Sequence, residues 1–339
     1  MKLSICIATY NRGKVISETL DRILSQMQPG VELIIVDGAS PDNTPEVIRQ
    51  YVSCHPEIRY YRERENSGVD GDYDKAVSYA RGEYCWLMTD DDLLRSGAVS
   101  RVLSALDGIN DLVIVNAEVR NVECSKILDG SLIKLSSDRK YGIGDGETLF
   151  LETAQCLSFI GCVVIRREVW LSRKRSPYYG TLFVHVGVIF QEPSIENAVV
   201  IADPLIVIRY GNAMWSPRWF EIWMFKWPQL IWSFNQFSDR SKEIVCPREP
   251  WRNVKKLVLA RAMGGYSFSE YCRYLAGTVN GLSRVLSLVI ARMPARLVNV
   301  FASLYILLLN RKARMGMYDI SRSRHSSWVS RLAARILGV

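Results

Sequence analysis

At 339 residues, 48% hydrophobic and 23% charged, the chain can bury one large core and a smaller appendage, which excludes a disordered or low-complexity protein. Its net charge of +8 conceals a division: residues 240–339 carry 18 Lys and Arg against 4 Asp and Glu, net +14, and residues 1–239 are net −6. A uniformly basic chain would point to nucleic acid; this asymmetry, with Trp and aliphatic stretches among the arginines, points instead to an anionic membrane surface and no nucleic-acid partner.

In chain order, residues 2–8 are apolar and β-prone, and residues 15–27 place Ile16, Leu20, Ile23, Leu24 and Met27 on one helical face. Residues 32–36 read as a second buried strand. A helix starts at Asn43-Thr44-Pro45-Glu46, with Thr44 as its cap and proline at the first helical position. Residues 58–61 read as a strand, 73–80 as a helix and 84–88 as an uncharged central strand. A helix over 97–106, a strand over 112–117 and a strand over 161–166 follow. Between 120 and 147 the pattern is too weak to assign, and residues 181–190 form an apolar segment carrying His185. This βαβα order predicts a mostly parallel sheet with helices on both faces.

Beyond Gly211, Trp215, Trp219, Trp223 and Trp227 recur every fourth residue, one aromatic stripe if helical, with Trp232 just past it. Pro217 and Pro228 predict that such helices are short. The stripe is open to two readings, core packing or an interfacial or acceptor-facing role. Residues 297–310 form the longest uncharged run of the tail, 14 residues, below the roughly 20 a spanning helix needs. Flanked by Arg292, Arg296, Arg311, Lys312 and Arg314, this run reads either as a helix lying in a membrane interface or as one packed on the rest of the fold. Residues 327–339 pattern as a second surface helix. The eight cysteines show no CxxC pair and no zinc-like spacing with the three histidines. With a strand directly after Met1 and no export signal, they predict a reduced, cytoplasmic protein.

The most informative feature is Asp90-Asp91-Asp92, emerging at the carboxyl edge of strand 84–88. Ligands bind at that edge in open α/β sheets. Three adjacent carboxylates repel one another, so they predict a hard cation, Mg2+ or Mn2+, carrying a diphosphate; a solvated acidic turn is the alternative. Three further segments stand at the same edge: Thr9-Tyr10-Asn11-Arg12, residues 37–44 (DGASPDNT) and residues 66–76 (NSGVDGDYDKA). Each alone is an ordinary turn, and together they line a polar crevice ending at the aspartates.

In that order and spacing, the segments resemble the family-2 glycosyltransferases, whose nucleotide-diphospho-sugar domain is the GT-A fold. The resemblance covers residues 1–120 closely and 150–210 loosely. Within the family, residues 68–77 (GVDGDYDKAV) and 82–94 (GEYCWLMTDDDLL) are most similar to the bacterial O-antigen abequosyltransferase type. It implies a GT-A domain over 1–210, with a nucleotide-sugar half at 1–120 and an acceptor half at 121–210, followed by an aromatic and basic helical region at 211–339. It further implies Asp91 as metal ligand and leaving-group stabiliser, Asp92 supporting the metal or acceptor, and Asp90 at the ribose. Thr9, Tyr10, Asn11, Arg12, Asp37, Asn66, Gly68, Asp70 and Asp72 would bind the nucleotide sugar.

Two departures stand out. Many members carry a second Asp where this chain has Gly38, an acid able to accept from uracil N3–H; its absence leans toward a cytidine donor such as CDP-abequose, with UDP- or GDP-sugars as alternatives. Members often show a Glu-Asp pair where this chain reads Leu182-Phe183-Val184-His185, so His185 is either the catalytic base or a core histidine. The implied reaction is inverting transfer to an undecaprenyl-diphosphate-linked oligosaccharide, on the inner face of the cytoplasmic membrane. A non-catalytic membrane-associated scaffold of the same fold is the remote alternative.

Overall fold

The computed structural model describes residues 1–339, which divide into two units: residues 1–119, 130–209 and 234–241, and residues 120–129, 210–233 and 242–339. The expected boundary at 210 is thus crossed twice, for local reasons. Phe234 and Phe237 pack edge and face against Phe150 and Phe190, with Phe150 and Phe237 stacked at 4.1 Å, so 234–241 joins the first unit. The Val122 N–H donates to the Tyr318 hydroxyl at 3.1 Å, which ties 120–129 to the second.

In the first unit β1 (Leu3–Thr9), β2 (Val31–Asp37), β3 (Ile58–Arg62) and β4 (Tyr84–Met88) alternate with α1 (Ile16–Leu24), α2 (Thr44–Cys54) and α3 (Gly68–Tyr79). β1, β2 and β4 are buried at every residue, the pattern of strands covered on both faces. They pair in parallel with Thr9 beside Asp37 and Ile7 beside Met88, so the carboxyl ends of all three meet at one edge.

Beyond β4 come β5 (Leu93–Leu94), α4 (Ala98–Ala105), β6 (Leu112–Arg120), β7 (Ile127–Asp129), β8 (Arg139–Tyr141), α5 (Gly146–Thr153), β9 (Val163–Arg166), α6 (Arg167–Ser172), α7 (Val184–Phe190) and β10 (Ala198–Arg209). β9 runs antiparallel to β4 and β6, and β10 antiparallel to β5 and β8. With strand order β3-β2-β1-β4-β9-β6-β10-β5 the sheet is mixed: parallel among β1 to β4, antiparallel beyond β4.

Two local readings are corrected. Residues 66–76 are not a turn: α3 begins at Gly68, whose φ of 80° and N–H, accepted by the Asn66 side-chain oxygen at 2.7 Å, start it, while Tyr73, Ala76 and Val77 are buried along its inner face. Thr44 is not the cap of α2. Its hydroxyl donates to Asp42 and accepts the Arg12 N–H at 2.8 Å, so it serves the neighbouring loop.

In the second unit, residues 216–232 form one continuous helical run despite two prolines: a 3-10 turn (Ser216–Arg218), an α turn (Trp219–Glu221), a π segment (Ile222–Lys226) and an α segment (Trp227–Trp232). Pro228 lacks an N–H and crowds the carbonyl four residues back; the wider π turn just before it makes room, and the helix continues. Along it the tryptophan stripe goes from exposed Trp215 through Trp223 to buried Trp227, with edge-to-face contacts at 6.1 and 6.0 Å. Helices Val254–Met263, Ala295–Leu309, Arg314–Arg322 and Trp328–Leu337 build around Ala262, Val298, Ile306, Met317 and Ile320, while Gly281–Arg292 packs through Ile290 and Ala291 on a second cluster with Trp251, Leu257 and Tyr266. The buried Asn299 amide donates to the carbonyls of Ala262 and Ile320 and so ties three of them. No single helix is long and apolar enough to cross a membrane, and Gly281–Arg292 and Ala295–Leu309 meet at a bend of 101°.

Candidate active site

The site is built on the edge where β1, β2 and β4 end. Thr9 and Asp37, the last residues of β1 and β2, are buried, and the two loops that follow them are stitched together. The Asn11 N–H donates to Ser40 Oγ at 2.9 Å, the Arg12 N–H to Thr44 Oγ1 at 2.8 Å and the Gly13 N–H to Asp42 Oδ2 at 3.0 Å. Asn11 and Ala39 adopt left-handed backbone at φ 58° and 61°, which turns each loop back on the other. Gly13 admits no side chain, since a Cβ there would fall 2.2 Å from the Asn43 side-chain oxygen.

The stitched loop aims the Arg12 guanidinium at the aspartates. Its Nε lies 3.2 Å from Asp90 Oδ1 and its terminal nitrogen 3.3 Å from Asp91 Oδ2, with all three side chains nearly buried. Burial pushes the Asp90 carboxyl up to about 7 even against Arg12, with Asp91 adding to the rise and the Thr9 hydroxyl opposing it. This is a site short of positive charge. Hard carboxylate oxygens suit Mg2+ or Mn2+, which bind through one or two carboxylates and take further oxygens from a substrate's phosphates. No three acidic, histidine or cysteine side chains are arranged to chelate an ion, so a cation here would need such added ligands.

Asp92 departs from the expectation of a metal-supporting ligand. Its Oδ1 accepts the Arg209 N–H at 2.6 Å and its Oδ2 the Thr89 hydroxyl, while its backbone oxygen accepts from Thr19 at 3.0 Å. Burial raises its pKa well above the carboxylate range, with Asp91 adding to the rise. Asp92 therefore anchors the end of β10 to the acidic turn. Arg209 repeats the tie through Nε to the Asp91 carbonyl at 3.0 Å, a role the sequence did not reveal because 118 residues separate the two.

Asp37 is likewise occupied: Oδ1 accepts the Ser40 N–H at 2.8 Å and Oδ2 the Tyr60 hydroxyl at 2.7 Å, with no exposed surface. Its carboxylate holds the turn after β2 and does not face a ligand. Tyr10 is half-buried at the mouth. Asn66 and Gly68 start α3, and Asp70 and Asp72 lie one turn in, both buried. Asp70 is engaged by the chain itself: it accepts the N–H groups of Leu182 and Val184 at 2.9 and 3.0 Å, holding the entry to α7, where Leu182 is left-handed at φ 73°.

His185 does not fit a catalytic base. Its ring is 1% exposed, Nε2 donates to the Leu157 carbonyl at 2.7 Å, and burial lowers its pKa to about 4. It is a neutral core imidazole whose second nitrogen has no partner and no path to an acceptor hydroxyl.

Residues 4–170 match Glycosyl transferase family 2. Abequosyltransferase RfbV of Salmonella typhimurium is 26% identical over 62% of this chain and 68% of its own. Among solved structures, Staphylococcus aureus TarS residues 1–349 in complex with UDP superposes with TM-score 0.58 at 13% identity, over 99% of this chain and 90% of that one. The mannosyltransferase PcManGT of Pyrobaculum calidifontis in complex with GDP-Man and Mn2+ superposes with TM-score 0.54 at 16% identity, over 98% and 87%. At those identities the superpositions establish the fold.

Proposed function

Taking as premise that residues 4–170 are a family-2 glycosyltransferase domain, and the chain therefore a glycosyltransferase of GT-A fold, we propose a donor, an acceptor and a place of work for it. The donor is a nucleotide-diphosphate sugar, with a CDP-dideoxyhexose such as CDP-abequose first and UDP- or GDP-sugars as alternatives; the acceptor is a hydroxyl of an undecaprenyl-diphosphate-linked oligosaccharide in surface-polysaccharide synthesis. The abequosyltransferase relative supports the donor class, and the UDP and GDP-Man complexes of the solved relatives support nucleotide-sugar binding.

The observation that carries the reading is the buried Asp90 and Asp91 pair facing Arg12 at the sheet edge. Asp91 and Asp90 would hold a divalent ion. When bound, such an ion supplies Lewis-acid neutralisation of the departing diphosphate. Arg12 adds a fixed positive charge beside the leaving group, already oriented by the stitched loop and needing no reorganisation as charge develops. Thr9, Tyr10 and Asn11 border the same crevice and bind the nucleoside side of the donor. Asp70 keeps the α7 entry in place on the acceptor side; the incoming hydroxyl forms its bond to the anomeric carbon as the bond to the diphosphate breaks on the opposite face, inverting that carbon, and its proton leaves to solvent or to the departing diphosphate.

The tail supports work at an anionic inner leaflet. Residues 271–339 hold 11 Lys and Arg against a single acid, Asp319. Their helices leave apolar stripes outward at helical spacing: Leu282, Val285 and Val289; Leu297, Phe301 and Leu308; Trp328, Leu332 and Ile336. Exposed apolar faces of this kind mark interaction sites, and a second copy of a face so uniformly basic would be repelled. The test is a panel of CDP-, UDP-, GDP- and dTDP-sugars with and without Mg2+ or Mn2+. One nucleotide should raise the melting temperature in a metal-dependent way and be turned over with a polyprenyl-diphosphate oligosaccharide. Absence of stabilisation by every member overturns the reading.

A further inference from the structure

Gly38 follows β2 directly, and its N–H donates to the Thr9 carbonyl at 3.0 Å, which places it on the floor between β1 and β2. A Cβ at this position would lie 2.5 Å from Asp72 Oδ2, closer than side chains approach, and 3.5 Å from the Asn66 side-chain amide. The volume a side chain at 38 would take is therefore filled by a carboxylate arriving from α3, a different element. Asp37, one residue earlier, cannot supply that carboxylate, because Ser40 and Tyr60 take both of its oxygens.

Asp72 is differently placed. The Ser67 hydroxyl donates to Oδ1, with Lys75 Nζ 4.0 Å away, and Oδ2 has no hydrogen-bond partner within the chain although only 4% of the side chain is exposed. The Asn66 side-chain oxygen, 3.5 Å from the same point, already accepts the Gly68 N–H at 2.7 Å. Over Gly38, then, stands a bare acceptor. It complements a base edge that offers an N–H, such as cytosine N4–H2 or uracil N3–H.

Resting on the nucleotide-sugar reading above, we propose that Asp72, in the space left open by Gly38 and with Asn66 beside it, is the residue that reads the nucleobase of the donor. Burial raises the Asp72 pKa, consistent with an acid whose full set of donors arrives only with a ligand. The arrangement makes positions 38 and 72 exchangeable: an acid is needed over the crevice floor, from either side, and only one fits.

The experiment measures binding of CDP, UDP, GDP and dTDP, each with Mg2+, and of Mg-pyrophosphate as a base-free probe, to the full chain and three variants. Asp72→Ala should weaken the preferred nucleotide tenfold or more. Gly38→Asp alone should weaken it as well, through collision with Asp72. The double variant Gly38→Asp/Asp72→Ala should recover most of the loss, and Mg-pyrophosphate should bind all four proteins alike. Whether CDP or UDP leads identifies which pyrimidine edge is read. If one nucleotide binds the parent and Asp72→Ala equally, the inference fails while the glycosyltransferase reading stands. A loss in Asp72→Ala that the double variant does not repair, or that extends equally to Mg-pyrophosphate, points to a packing defect and also overturns it. If no nucleotide binds the parent protein, both readings fall.

Discussion

The two units handle polarity in opposite ways. In the first, the strands are buried throughout and the polar chemistry is drawn inward, with Asp37, Asp70, Asp72, Asp90, Asp91 and Asp92 all buried at or near one sheet edge. In the second, 21 Lys and Arg stand against seven acids, and apolar side chains are turned outward in three helical stripes. Buried carboxylates cost free energy unless something neutralises them, and exposed leucines cost it unless something covers them. Under the function proposed above, the first unit would take a cation and a phosphate and the second would meet an apolar, anionic layer.

Replacing one charge at the centre of the first unit should break this contrast most severely. Asp91→Asn is expected to lower sugar transfer at least 100-fold, the scale of removing one group that stabilises developing charge, while the melting transition stays cooperative; transfer assays alongside thermal melts check both. Next in size is a pH effect confined to the first unit. The folded pKa of His185 is lowered from 6.5 to about 4, so the unfolded chain takes up a proton that the folded chain refuses as pH falls from 6.5 to 4. Stability from this residue is thus present above pH 6.5 and lost toward pH 4, by up to about 3 kcal/mol. His185→Gln, which keeps a donor for Leu157, should remove that slope in denaturant titrations across the window.

A smaller effect is expected at the outward stripes. Phe301→Glu with Leu308→Glu should lower partitioning onto phosphatidylglycerol vesicles about tenfold, because each substitution removes an apolar contact and adds a repelled charge. Both side chains are 68% exposed, so the melting temperature should hold; unchanged partitioning would leave the stripes without their lipid role. The smallest effect sharpens the first unit's side of the contrast. Arg12→Met should destabilise the cation-free protein, and millimolar Mg2+ should restore more stability to this variant than to the parent, as read from paired denaturation curves.

Much of the first unit was legible because its strands are continuous apolar runs ending in polar turns, and the acidic edge followed from strand direction alone. α3 was not. Gly68, Asp70, Gly71 and Asp72 are poor helix formers, and the helix exists because Tyr73, Ala76 and Val77 find a buried face and both acids find partners. The continuity of 216–232 was hidden for a related reason, since proline signals a break and only the π turn before Pro228 removes the clash. Individual roles at the site were the least readable. His185, Asp92 and Asp37 are titratable residues in the expected segments, yet the structure spends each on holding backbone. The pairing of Arg12 with the aspartates and of Gly38 with Asp72 depends on distances that spacing along the chain does not carry.

The stitching of the two loops after β1 and β2 has a consequence for how the enzyme tolerates change. Three backbone N–H groups, at residues 11, 12 and 13, are satisfied by Ser40, Thr44 and Asp42. The direction of the Arg12 guanidinium is therefore inherited from hydroxyls and a carboxylate that never meet the sugar. Losing any one of these anchors would leave every reacting group in the chain and still detune the reaction, so inactivating lesions should gather on this seam as readily as on the acids it serves.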